Sequence, residues 1–137
     1  MLKSIAAGLP VFLLLDFVWL GVVSNRFYAS QLGPWLRKAP DGSMAPLWTP
    51  ALAFYVLAVV GIAALVTPRV DAAGGGLVAA AAWGAFFGLV VYSCWDLTNY
   101  SVLKDWPFAV VVADMSWGAV VCGATTVAMT LASRWWR

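Results

Sequence analysis

A chain of 137 residues that is 64% hydrophobic, 15% aromatic and only 10% charged stands far from soluble domains, where about half the residues are apolar and about a quarter charged. A soluble fold and a disordered chain are both excluded. Eight Lys and Arg against six Asp leave a net charge of +2 with no basic run, too little and too scattered for a nucleic-acid surface, so no nucleic acid is expected among the partners.

The chain has no His, so His-ligated haem, His-based zinc and a Ser-His-Asp triad fall together. No metal site and no cofactor are expected. Cys94 and Cys122 stand in apolar stretches, make no Cys-x-x-Cys pair, and read as packed thiols. Since a bilayer core takes about 20 apolar residues per helix, four crossings with short loops use up the length. Residues 1–137 therefore read as a single integral membrane domain, an all-α bundle of four transmembrane helices with one longer loop between helices 1 and 2.

The first apolar run, Ser4 to Ser24, is interrupted by Asp16 and lacks a small-x-small cleavage site after it, so it reads as a retained helix over 4–24 rather than a signal. Residues Asn25 to Thr49 hold Arg26, Arg37 and Lys38 together with Gly33-Pro34, Ala39-Pro40-Asp41-Gly42 and Ala45-Pro46, which is turn chemistry and makes the long loop. Within it Phe27, Tyr28, Leu32, Trp35 and Leu36 suit a short amphipathic segment in the headgroup plane.

Helix 2 is expected over 48–67, with Thr49 as N-cap, Pro50 in the first turn and an end before Pro68. Arg69 and Asp71 then fall in a connection. Gly74-Gly75-Gly76 breaks the chain before helix 3, expected over 75–97, whose Ala80, Gly84 and Gly88 form a small-residue face suited to close helix approach. Helix 4 is expected over 107–133, ending in an interfacial anchor of Arg134, Trp135, Trp136 and Arg137. No β-sheet is expected.

This arrangement puts Lys3, Arg69, Arg134 and Arg137 on one side and Arg26, Arg37, Lys38 and Lys104 on the other, four against four. The Lys and Arg bias that sets orientation is therefore balanced. The N-terminal amine tilts the termini inward, and the balance admits an antiparallel homodimer.

Asp41, Asp71 and Asp105 fall in connections as solvated charges. Asp16, Asp96 and Asp114 differ, because each is flanked by long apolar sequence and an ionised carboxylate in hydrocarbon costs several kcal/mol even after relaxation. At about 1.5 Å of rise per residue, all three fall in the half of the bilayer nearest the long loop. One shared cavity is the natural expectation. Tyr92 and Asn99 flank Asp96 at helical spacing, and Trp19 and Trp117, each three residues after an Asp, carry indole donors. Asn25, Tyr28 and Lys104 are placed at the pocket mouth. The segments beginning at Asp16 and Asp114 share Asp-x-x-Trp and a pair of Val, which hints at an internal repeat. Crowded carboxylates of this kind can carry or exchange a proton.

Taken together, Asp16-Phe17-Val18-Trp19-Leu20-Gly21, Phe54-Tyr55, Asp96-Leu97-Thr98-Asn99, Trp106-Pro107 and Asp114-Met115-Ser116-Trp117-Gly118 resemble the bacterial membrane-protein family catalogued as domain of unknown function 2177, across nearly the whole chain. The family pattern usually places Tyr before the Asp of Asp-Leu-Thr-Asn, where this chain has Trp95. The resemblance implies a multi-pass protein of the bacterial inner membrane and no established activity.

Three functions compete on the sequence. The first is a binding protein or transporter whose carboxylates hold a proton, a cation or a protonatable amphiphile; small multidrug resistance proteins offer an analogy in size and charge balance. The second is a membrane enzyme acting on lipid or isoprenoid substrates by carboxylate acid and base chemistry. The third is an accessory subunit docked on a membrane-protein partner.

Overall fold

The structure, a computed structural model, describes residues 2–42 and 44–135. It is helical throughout: α1 (Leu2–Val18), α2 (Asn25–Leu32), α3 (Trp48–Gly61), α4 (Thr67–Ala72), α5 (Leu77–Val102) and α6 (Phe108–Trp135). A π-helical turn, Trp19–Val23, extends α1, and a second, Ile62–Val66, joins α3 to α4 without a break. Four continuous helices result, Leu2–Val23, Trp48–Ala72, Leu77–Val102 and Phe108–Trp135, each long and apolar enough to cross a membrane. Among the described residues there is no strand, only an isolated bridge between Lys38 and Met44.

The outer faces carry large apolar side chains such as Leu14, Phe17, Leu57, Val78 and Phe86, all exposed. A surface of this kind suits lipid and not water. Inside, Phe12, Val59, Ile62, Val121, Cys122 and Met129 form the main core, and Tyr28, Trp106, Val110 and Val111 make a second cluster where α2 meets the start of α6.

The closest packing is between α5 and α6. A Cβ at Gly84 would stand 2.7 Å from the Cys122 carbonyl oxygen, and one at Gly88 would overlap the Gly118 carbonyl. The small-residue face is thus occupied within the chain itself. At the far end of α6, Arg134 donates to the Gly75 carbonyl at 2.8 Å, which ties that end to the connection between α4 and α5. Trp136 and Arg137 of the expected terminal anchor lie outside the described residues.

Several element ends differ from the sequence reading. The second long helix runs through Pro68 to Ala72, so Arg69 and Asp71 are helical and not in a connection. Pro68 falls in the first turn of α4, just after the wide Ile62–Val66 turn, where the Thr67 N–H already reaches back five residues to the Ile62 carbonyl; a residue without an N–H is tolerated at such a restart. Helix α3 begins at Trp48 with Leu47 at the cap and no side-chain cap bond, so Thr49 lies inside the first turn and does not cap it.

Helix α5 continues past residue 97 to Val102. Its polar tail stays helical with the hydroxyls turned back onto the helix itself: Thr98 donates to the Cys94 and Trp95 carbonyls, and Ser101 to the Thr98 carbonyl at 2.9 Å. The break comes later, with Asp105 at φ 62 and Pro107 before α6. The amphipathic segment ends at Leu32, so Trp35 and Leu36 lie beyond α2, and Tyr28 is buried where a surface-lying helix would leave it at the interface. Both thiols are free, but only Cys122 is buried; Cys94 is exposed on α5.

Candidate functional site

Asp16 sits in the last turn of α1, three residues before Trp19, where the π turn starts. That wider turn is closed by Ser24, whose N–H and hydroxyl both reach the Trp19 carbonyl at 2.7 Å. The chain then bends at Ser24 straight into α2, which returns over the bundle and brings Tyr28 against α6.

Asp16 is buried, and each of its oxygens accepts a donor from a different helix. The Tyr55 hydroxyl of α3 donates to Oδ2 at 2.7 Å, and Trp117 Nε1 of α6 donates to Oδ1 at 2.7 Å. Asp114 accepts the hydroxyl of Tyr28, which in turn accepts Trp19 Nε1 at 3.2 Å. The indoles of Trp19 and Trp117 stack with centroids 4.5 Å apart and planes 6° from parallel. Donors therefore cross between the two Asp-x-x-Trp segments: Trp117 serves Asp16, while Trp19 reaches Asp114 only through Tyr28.

Beside this network lies a cleft of about 420 Å³. Asp16, Trp19, Tyr28, Tyr92, Asp114 and Trp117 line it together with Tyr55, Phe54, Leu20, Val91 and Trp95, and Leu32, Leu36 and Met44 of the long connection form part of its wall. Tyr92 lies with its ring on Gly118, where a Cβ would collide with it, and meets Phe54 edge-on at 6.2 Å. Burial, reinforced by the hydroxyl's bond to Asp114, holds the Tyr28 phenol well above its usual value, so Tyr28 remains a donor.

The sequence-derived set does not converge completely. Asp96 is fully enclosed and does not border the cleft; it stands one turn beyond Tyr92, whose ring lies on Gly118, and so faces Asp114, one turn before Gly118 on the antiparallel α6. Asn99, one turn on, is half-buried with Nδ2 unpartnered, as is Nε1 of Trp106. Asn25 begins α2 without bordering the cleft. Lys104 is exposed and, among the described residues, pairs with no carboxylate. Tyr55 is the residue that sequence reasoning missed as a partner of Asp16: the two are 39 positions apart, beyond any helical periodicity, and only its place in the Phe54-Tyr55 motif marked it.

No Lys or Arg pairs with Asp16, Asp96 or Asp114 among the described residues, and no three His, Cys, Asp or Glu side chains there come together as a metal site. What the arrangement offers chemically is a pair of carboxyl groups beside an apolar, aromatic wall, held in place by phenol and indole donors. A family model described as Predicted membrane protein (DUF2177) matches residues 1–131. No curated protein and no solved structure matches the chain.

Proposed function

We propose that this chain, which belongs to the DUF2177 family and contacts the lipid bilayer as a multi-pass membrane protein, binds a monovalent organic cation with apolar substituents in the cleft between α1, α3, α5 and α6. The observation that carries this reading is the pair Asp16 and Asp114, two carboxyl groups at one cleft with no basic residue among the described residues to balance them. Carboxylates in a low-dielectric setting need a counter-charge, and a ligand supplies it where the protein does not. The walls fit the rest of such a molecule: aliphatic side chains take its apolar groups, and the aromatic faces of Trp19 and Trp117 attract positive charge. The volume lies in the range of sites for drug-sized ligands.

Calorimetric titration of the purified, detergent-solubilised protein with tetraphenylphosphonium tests the reading. Saturable binding at one site per chain is expected, weakened at least tenfold in Asp16→Asn and in Asp114→Asn. Absence of binding, or binding of equal strength in both variants, refutes it.

A further inference from the structure

Two of the three carboxyl groups face one another across α5 and α6. Asp96 is fully enclosed and neither of its oxygens receives a hydrogen bond. Tyr92, one turn before it, packs its ring on Gly118, which Gly88 also meets a turn earlier, and Asp114 stands one turn before Gly118 on the antiparallel helix, so the register brings the two carboxyl groups together. Two ionised carboxylates held together away from water repel strongly, and a buried polar group without a partner calls for a missing species.

That species carries positive charge, and the surroundings restrict which one it is. No Lys or Arg side chain reaches the pair, and no third carboxylate, thiol or imidazole joins it to complete a metal site among the described residues. The cation that needs only two oxygens is a proton, which turns one carboxyl into a donor to the other. Asp16 is in a different position, since each of its oxygens already takes a donor. The remaining titratable groups around the pair are Tyr28 from α2, Tyr55 from α3, Tyr92 on α5 and Cys122 on α6, all neutral in their ordinary state near neutral pH.

We propose that Asp96 and Asp114 hold one shared proton in the ligand-free protein, and that a cation entering the cleft displaces it into water. Asp114 makes the coupling, because it borders the cleft on one side and faces Asp96 across the α5/α6 register on the other. Charge balances in the exchange: one monocation enters, one proton leaves, and the net charge of the site is unchanged. This step rests on the cleft being the cation site proposed above. The cleft would then exchange ligand for proton, and ligand affinity would fall up to about tenfold per pH unit on acidification.

Infrared spectroscopy of the purified protein near neutral pH, with and without tetraphenylphosphonium, tests the proposal. A protonated-carboxyl band is expected in the ligand-free protein, retained in Asp16→Asn, lost in Asp96→Asn and displaced in frequency in Asp96→Glu. Because all six acidic residues are Asp, carbon-13 labelling of aspartate identifies the band in the wild type even if the Asp96 variants fail to fold. Bound tetraphenylphosphonium should bleach the band and release one proton per ligand into weakly buffered solution. A wild type without such a band, a band indifferent to Asp96→Asn, or binding that leaves the band intact overturns the proposal. A band that depends on Asp96 in a protein that does not bind the cation upholds the shared proton, and the failure then belongs to the cleft reading.

Discussion

Replacing Gly88 by Ala adds one methyl group at the tightest point between α5 and α6. It would overlap the Gly118 carbonyl oxygen and stand 2.8 Å from Cys122 Cβ. Neither obstacle is the free end of a flexible side chain, so the two helices have to separate, by about 1 Å if carbon contacts are to return to their ordinary 3.5–4.0 Å. Overpacking costs about 1–3 kcal/mol, and displaced backbone argues for about 3. The better helix propensity of Ala returns about 1 kcal/mol, which leaves a net loss of about 2 kcal/mol.

Gly21 supplies the contrast, since a Cβ there meets nothing within 4 Å, so Gly21→Ala should be neutral or gain up to about 1 kcal/mol. The two variants should thus differ by about 3 kcal/mol, roughly two orders of magnitude in the unfolding equilibrium. Unfolding in mixed micelles of mild detergent and sodium dodecyl sulfate, followed by far-ultraviolet circular dichroism, measures both. Equal shifts in the two variants would show that the Gly88–Gly118 contact does not set the approach of α5 and α6.

Tyr55→Phe removes the 2.7 Å bond to Asp16 and should cost about 1–2 kcal/mol in the same assay; its effect and that of Asp16→Asn should not add in the double variant, and strict additivity would show that the two side chains do not interact. Trp19→Leu should abolish the near-ultraviolet couplet expected of two indoles 4.5 Å apart and nearly parallel, and an unchanged spectrum would mean the rings do not stack. The buried Tyr28 phenol titrates above its usual value, so its contribution to stability is complete below about pH 10 and is lost as pH rises towards the raised value. Between about pH 8 and pH 11 the wild type should therefore lose more stability than Tyr28→Phe; parallel losses would show that Tyr28 does not carry the effect.

The long helices were legible because their apolar runs exceed what a core helix needs, and because Gly74 and Gly75, both at positive φ, and Pro107 punctuate them plainly. The ends of α4 and α5 were not. Pro68 and the polar run Asp96-Leu97-Thr98-Asn99 look like terminators in a linear reading, yet a wide turn accommodates the first, and in the second the Thr98 hydroxyl finds its partners within the helix. At the candidate site, the sequence marked which side chains were expensive to bury but not whom they meet. Trp117 was visible as a donor three residues from Asp114, and the structure aims it at Asp16, 101 positions away. Partner choice of this kind depends on helix rotation and tilt, which packing sets and periodicity does not encode.

A π turn is, in chain terms, one residue inserted into a helix that would otherwise run on. Between Asp16 and Tyr28 that surplus lies in Trp19–Val23. Winding that stretch uniformly as α-helix while keeping every residue would turn everything downstream by about 100° relative to Asp16. Tyr28 would swing off Asp114 although no side chain of the network had been changed. A single-residue gap in this stretch, where it occurs in a relative, would instead remove the need for the wide turn and leave the wiring of the carboxylates the same, whereas an α-helical Trp19–Val23 of full length would rewire it.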